Sequence, residues 1–184
     1  MSDTFADFLL SMGIPPGVAV FFIAMVPVFE LRGAIPVGIN ILGLPWYEVL
    51  PLALAGNLLP VPFILLFLNW AVKLLERLPV FMRFFTWLFE HTRRRAGIIR
   101  RYGRIGLALF VAVPLPVTGA WTGSAAAVML GLSLKQAFVP IAIGVLIAGV
   151  IVTTLSLMGW WGALIAGVAL CALGVYSLWK TDVS

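Results

Sequence analysis

Apolar residues along the chain fall into segments of two lengths. Three are long: Trp46–Val72, Leu134–Met158 and Trp160–Trp179. A membrane-spanning helix needs about 20 apolar residues, so each is predicted to cross a bilayer. The others form two pairs of short segments. Gly17–Phe29 and Gly33–Leu44 are split by "ELR"; Ile105–Val113 and Ala120–Leu132 are split by "PLPVTG". No member of a pair is long enough to cross alone. Each pair is therefore either a re-entrant hairpin that dips to the midplane and returns, or one kinked spanning helix. Opened backbone inside a membrane is tolerated only within protein or beside a wet cavity. The hairpin is the expectation adopted here. A short apolar turn, Phe5–Met12, is placed at the interface.

The pairs repeat. "GLPWYEVLPLALAG" (Gly43–Gly56) matches "GLSLKQAFVPIAIG" (Gly131–Gly144) at an offset of 88. "RGAIPVG" (Arg32–Gly38) matches "TGAWTGS" (Thr118–Ser124) at an offset of 86. Few residues are identical, but the order of features recurs: short pair, break, Gly-Leu, long helix. Repeated halves are a transporter pattern, with the site at their interface.

Between the halves the pattern changes. Leu78, Phe81, Met82, Phe85, Leu88 and Phe89 recur at helical spacing, opposite Glu76, Arg83 and Glu90. Pro79 stands where a first helical turn tolerates it. This predicts an interfacial amphipathic helix, with Trp87 near headgroup depth. Nine of the 12 Lys and Arg residues lie between Lys73 and Arg104. Basic loops stay in the cytoplasm, so this segment is placed there. The first pair then opens to the outside and the second to the inside, which gives the halves inverted topology. Helix 134–158 runs outward, helix 160–179 runs back, and the N-terminus is expected outside. Arg93, Arg94, Arg95, Arg100 and Arg101 are candidates for lipid-headgroup contact, either as a plain topology anchor or as a recruiter of phosphorylated headgroups. Aromatic residues lie on the membrane face and not among these arginines, so no nucleic-acid partner is expected.

Composition agrees. The chain has 184 residues, 62% hydrophobic and 10% charged, against about 25% charged in soluble domains. The fold class expected is an all-α integral membrane protein, one membrane domain over 1–184. It comprises repeat 1 (14–72), the cytoplasmic basic amphipathic segment 73–104, repeat 2 (105–158) and a C-terminal helix (160–180). The N-terminus carries two aspartates and no basic residues, unlike a signal peptide. Cys171 and His91 are the only residues of their types. No disulfide, metal site, cofactor or histidine triad is expected, and an enzyme is the least favoured class.

Candidate chemistry concentrates at the breaks. Glu30 and Arg32 stand in nearly uniform apolar sequence. A charge at bilayer depth costs about 2.5–3.5 kcal/mol on insertion scales, so it pairs or faces a cavity. At a hairpin tip both can turn into one cavity, with Gly33 giving backbone freedom and Pro27 and Pro36 ending the flanking helices. Two uses are open: an ion pair holding the loop, or Glu30 taking a proton or cation while Arg32 takes an anionic group. The second break offers Pro114, Pro116, Thr118, Gly119, Trp121 and Thr122. Its hydroxyls and proline-freed carbonyls can coordinate ions or substrate oxygens. Gly119 and Gly123 equally form a small-residue packing pair. Asn57 and Asn69 either face the same cavity or bond across helices. Gly159, Gly162 and Gly167 suit a homodimer contact or intramolecular packing.

"ELRGAIPVG" together with "PLPVTGAWTGS" resembles the paired motifs of the small multidrug export protein family, over roughly Val26–Val152. That family resembles the wider DedA/VTT membrane protein superfamily, whose segment before the second hairpin is similar to "YGRIGLALFVAVPLPVTG" (Tyr102–Gly119). The resemblance implies two re-entrant hairpins meeting head-on, and transport or scrambling of lipids, including the undecaprenyl phosphate carrier, driven by protons in a bacterial inner membrane. DedA arginines around the second proline motif are replaced here by Ala112, Val113, Val117 and Thr118, and only Arg32 is comparable. The leading expectation is a transporter or lipid translocase with its site between the hairpin tips. Export of small lipophilic cations with Glu30 as counter-charge is the alternative, and a non-transporting scaffold is a third reading. A cysteine placed at Ser2 is expected to react with an impermeant thiol reagent from outside intact cells; labelling only after permeabilisation would show that the first pair spans instead.

Overall fold

Prolines and glycines set where the apolar chain breaks into helices. The computed structural model describes residues 13–75, 103–114 and 118–168. Helix α1 is Pro16–Met25, with proline in its first turn, where the missing N–H costs nothing. It stops because Val26 precedes Pro27 and is held extended, at φ −75° and ψ 129°. Helix α2, Glu30–Pro36, runs into a π-helical turn, Val37–Ile41. Helix α3 is Trp46–Leu58 and α4 is Pro60–Leu75. Helix α5 is Gly103–Ala112, α6 is Ala120–Met129 and α7 is Leu134–Leu157. After Gly159, whose φ is +56°, helix α8 begins and is described over 160–168. All regular structure among the described residues is helical.

Two expectations are corrected. "ELR" is not the first break; it is the first turn of α2, and the break is Val26–Phe29. Pro36 does not end its helix: it lies inside α2, and the chain continues as the π-turn, closed by Leu42 N–H donating to the Val37 carbonyl at 2.9 Å. The expected long helix from Trp46 is present: α3 runs into α4 through Leu59, which keeps α-helical backbone at φ −56° and ψ −46° just before Pro60, so that Trp46–Leu68 is one apolar helical stretch. The interfacial turn Phe5–Met12, the amphipathic helix, Arg93, Arg94, Arg95, Arg100, Arg101 and Pro116 lie outside the described residues.

The two halves share more than element order. Gly43 and Gly131, matched in the repeat, both turn the chain with positive φ, +66° and +69°. Gly56 in α3 lies against the Phe21 carbonyl and Ala24 of α1; Gly144 in α7 lies against the Ala108 carbonyl and Val111 of α5. The same helix pair is thus brought together in both halves by the same glycine. The halves also interlock: α2 packs against α7, and α6 against α4.

Along α7 the packing differs from that of a soluble helix bundle. The inner face of α7 carries mainly small side chains, including Ala137, Gly144, Ala148, Gly149 and Ser156, and Leu50 and Leu54 of α3 pack onto Gly149. Its outer face exposes Val139, Ile143, Leu146, Val150 and Leu157. Small residues inside let helices approach, and large apolar residues outside suit lipid. Two stretches, Trp46–Leu68 and Leu134–Leu157, are long and apolar enough to cross a membrane. At about 1.5 Å per residue, α1, α5 and α6 reach about 15 Å, half the hydrocarbon thickness.

Gly56→Ala is expected to lower the melting temperature of the detergent-solubilised protein, at a cost of about 1–3 kcal/mol, because the new Cβ meets backbone that cannot yield. Gly167→Ala, where a Cβ meets nothing within 4 Å, is expected to be neutral or slightly stabilising.

Candidate functional site

The break Val26–Phe29 ends on a residue forced into an unusual backbone shape. Glu30 has φ +46°, the only non-glycine positive φ among the described residues. A carboxylate-bearing residue held there costs on the order of 1–3 kcal/mol and persists only when its surroundings compensate. The freedom that sequence reasoning assigned to Gly33 is therefore used three residues earlier. Gly33 lies within α2, and its missing Cβ leaves room for the Phe29 ring.

That backbone shape aims the Glu30 side chain, itself 8% exposed, at the start of α6. The backbone N–H groups of Ala120 and Trp121 face its carboxylate, and the Trp121 N–H donates to Oε1 at 3.4 Å. A helix N-terminus has unsatisfied N–H donors and the positive end of the helix dipole. Helix α6 has no capping side chain of its own; Glu30, from the other half, occupies that place. Gly119 makes the approach possible, since a Cβ there would collide with the Glu30 carboxylate.

Arg32 completes the junction. Its Nη2 lies 3.8 Å from Glu30 Oε2 and donates to Thr118 Oγ1 at 3.3 Å. The Thr118 hydroxyl in turn donates to the Val113 carbonyl at 2.7 Å. Arg32 and Thr118 are matched positions of the two repeats, so this bond ties equivalent points of the halves. A second tie runs from the Trp121 indole Nε1–H to the Met25 carbonyl, 3.2 Å away, at the end of α1. The carbonyls that close α1 and α5 are thus both answered by side chains at or just before the start of α6.

The structure brings Glu30, Arg32, Thr118, Gly119 and Trp121 together. Others fall away. Thr122 donates back to the Gly119 carbonyl within its own turn, at 3.4 Å. Gly123 is a packing contact against Val111. Pro114 and Pro36 are half-buried, and none of the side-chain contacts above involves them. The Asn69 side chain lies outside what the structure describes, and Asn57 does face the junction. Together with Glu30, Leu31, Arg32, Val111, Gly119, Ala120, Val145 and Ala148 it lines a cavity of about 10 Å³, room for about one water molecule.

The family described as "Putative small multi-drug export protein" matches residues 30–151, about two-thirds of the chain. The chain belongs to that family. The match begins at Glu30 itself and takes in α2 to α6 and most of α7, leaving out α1. Among curated proteins and solved structures none matches. With two helices long enough to cross a bilayer, the export-family chain is a membrane protein.

A double-mutant cycle on Arg32→Ala and Thr118→Val tests the tie between the halves. Each change is expected to lower thermal stability, and the pair to cost less than the sum by about 0.5–3 kcal/mol. Strict additivity would show that the two side chains do not act together.

Proposed function

We propose that this chain is a membrane transporter gated where its two halves meet, in a bacterial inner membrane with segment 73–104 in the cytoplasm. Each short helix pair forms a re-entrant hairpin, the two of opposite orientation, with tips in contact at the midplane. Helices of about half-bilayer length, broken at proline, support this, as do the repeated glycine contacts and the bond between the matched residues Arg32 and Thr118. The observation that carries the reading is the Glu30 carboxylate seated on the N-terminus of α6. It is a charge-dependent bond between two halves that must separate for anything to pass.

Protonation supplies the switch. Ionised Glu30 is held by the dipole and N–H groups of α6 and by Arg32. Once protonated, it loses the charge on which these contacts depend, and the tips are free to part. The cavity in this closed arrangement admits about one water and no larger molecule. Substrate therefore enters only after the tips separate, and the proton and substrate use the junction in alternation.

The family description supports export of small drug-like molecules. One observation favours a second substrate class, an anionic lipid or lipid carrier: the Arg32 side chain is 27% exposed and becomes available once Glu30 is neutral. The resemblance to DedA proteins supports the same class. In both versions the partners are membrane lipids and protons, with no cofactor and no catalysis.

Proteoliposomes with an imposed pH gradient separate these. Wild type is expected to move a fluorescent lipophilic cation or to flip a fluorescent anionic lipid, and the cargo moved identifies the class. Glu30→Gln is expected to reduce gradient-driven movement about tenfold or more, corresponding to at least ~1.4 kcal/mol. Arg32→Ala is expected to abolish lipid flipping but to spare export of a cation. Full gradient-dependent activity in both variants would remove the junction from the mechanism.

A further inference from the structure

One buried polar group is used neither by the repeat nor by the Glu30 contact with α6. Asn57 lies near the end of α3, 1% exposed, and its Oδ1 has no hydrogen-bond partner among the described residues. A buried amide oxygen left bare is costly, whereas leucine would fill the same shape without that cost. Asn57 shares its cavity with Glu30 and Arg32. Val145, its counterpart at an offset of 88, lines the same cavity from α7. The two halves thus present an apolar wall on one side and an unpaired oxygen on the other.

We propose that this cavity is a binding site for one water molecule, held between Asn57 and Glu30. Size selects water, since the space is about 10 Å³, close to one probe sphere. Chemistry selects it too. A buried water makes two to four hydrogen bonds; here its two hydrogens go to Asn57 Oδ1 and the Glu30 carboxylate, and its oxygen accepts from the Arg32 guanidinium. A metal cation fits poorly beside the Arg32 charge and the positive end of α6, and two side chains fall short of the six or more oxygens a hard cation takes. An anion is opposed by Glu30.

The site deepens the proposed function and rests on it in one respect: this water is the proton's last step to Glu30. It takes up one proton and passes one to the carboxylate, and is itself unchanged. Asn57 is then a positioning residue that acts through the water.

Radiolytic hydroxyl-radical labelling of the full-length protein in detergent tests this, because a trapped water labels buried side chains around it. Wild type is expected to be labelled at Leu31, Val111 and Val145 despite their burial. Asn57→Leu is expected to lose that label several-fold, and Asn57→Ser, which keeps an acceptor oxygen, to retain it. No label in wild type, or an undiminished label in Asn57→Leu, would overturn the site. A melting temperature raised by sodium chloride but not by equal potassium or choline chloride would also overturn it, in favour of a cation. Asn57-dependent labelling in a protein whose Glu30→Gln variant still transports fully would leave the water site standing and remove only its role in proton delivery.

Discussion

A carboxylate taken out of water must be compensated by protein, and Glu30 is compensated by the backbone of another helix. The dependence runs both ways. Helix α6 begins with exposed N–H groups and no capping side chain of its own, so it also needs Glu30. A charge at a helix N-terminus contributes about 0.3–1 kcal/mol when exposed and up to ~2 kcal/mol in partly buried geometry. That alone would hardly offset the positive φ of Glu30 and its burial. Two N–H groups, the Arg32 guanidinium and the close approach allowed by Gly119 act on the same carboxylate, and their sum makes the arrangement tenable. Removing any one of them loads the others.

Around that contact the rest of the fold is arranged to bring two chain breaks together. Gly56 and Gly144 set how closely α1 lies on α3 and α5 on α7. The crossed packing of α2 on α7 and α6 on α4 then fixes the halves against each other. At Gly56 and Gly144 the helices approach to backbone contact, while Ile35, Leu65, Leu107 and Ile141 fill the core around them.

Much of this was legible in the sequence because it is local. Segment lengths, the Gly-Leu turns at Gly43 and Gly131 and the charges at Glu30 and Arg32 are each visible within a dozen residues. So was the grouping of Arg32 with Thr118, Gly119 and Trp121, which followed from the repeat. What was hidden depends on distant partners. Nothing near Glu30 announces a left-handed backbone; it follows from where α6 starts, 90 residues on. The same is true of the Trp121 indole, whose acceptor is a carbonyl on α1, and of Asn57, where sequence left cavity and cross-helix bonding equally open. The shift of the break from "ELR" to Val26–Phe29 has a local signal, the extended residue that Pro27 imposes.

The bond between Arg32 and Thr118 has an implication for ancestry. Matched residues of two repeats touch each other only where the repeats meet. In an assembly of two identical halves, whatever side chain stands at that position would face its own copy. Two arginines there would set guanidinium against guanidinium in an apolar setting, and two threonines would leave Glu30 without its nearby cation. A charged junction of this kind is closed to a symmetric pair of half-length chains. It becomes accessible only once the two halves are free to differ at this point.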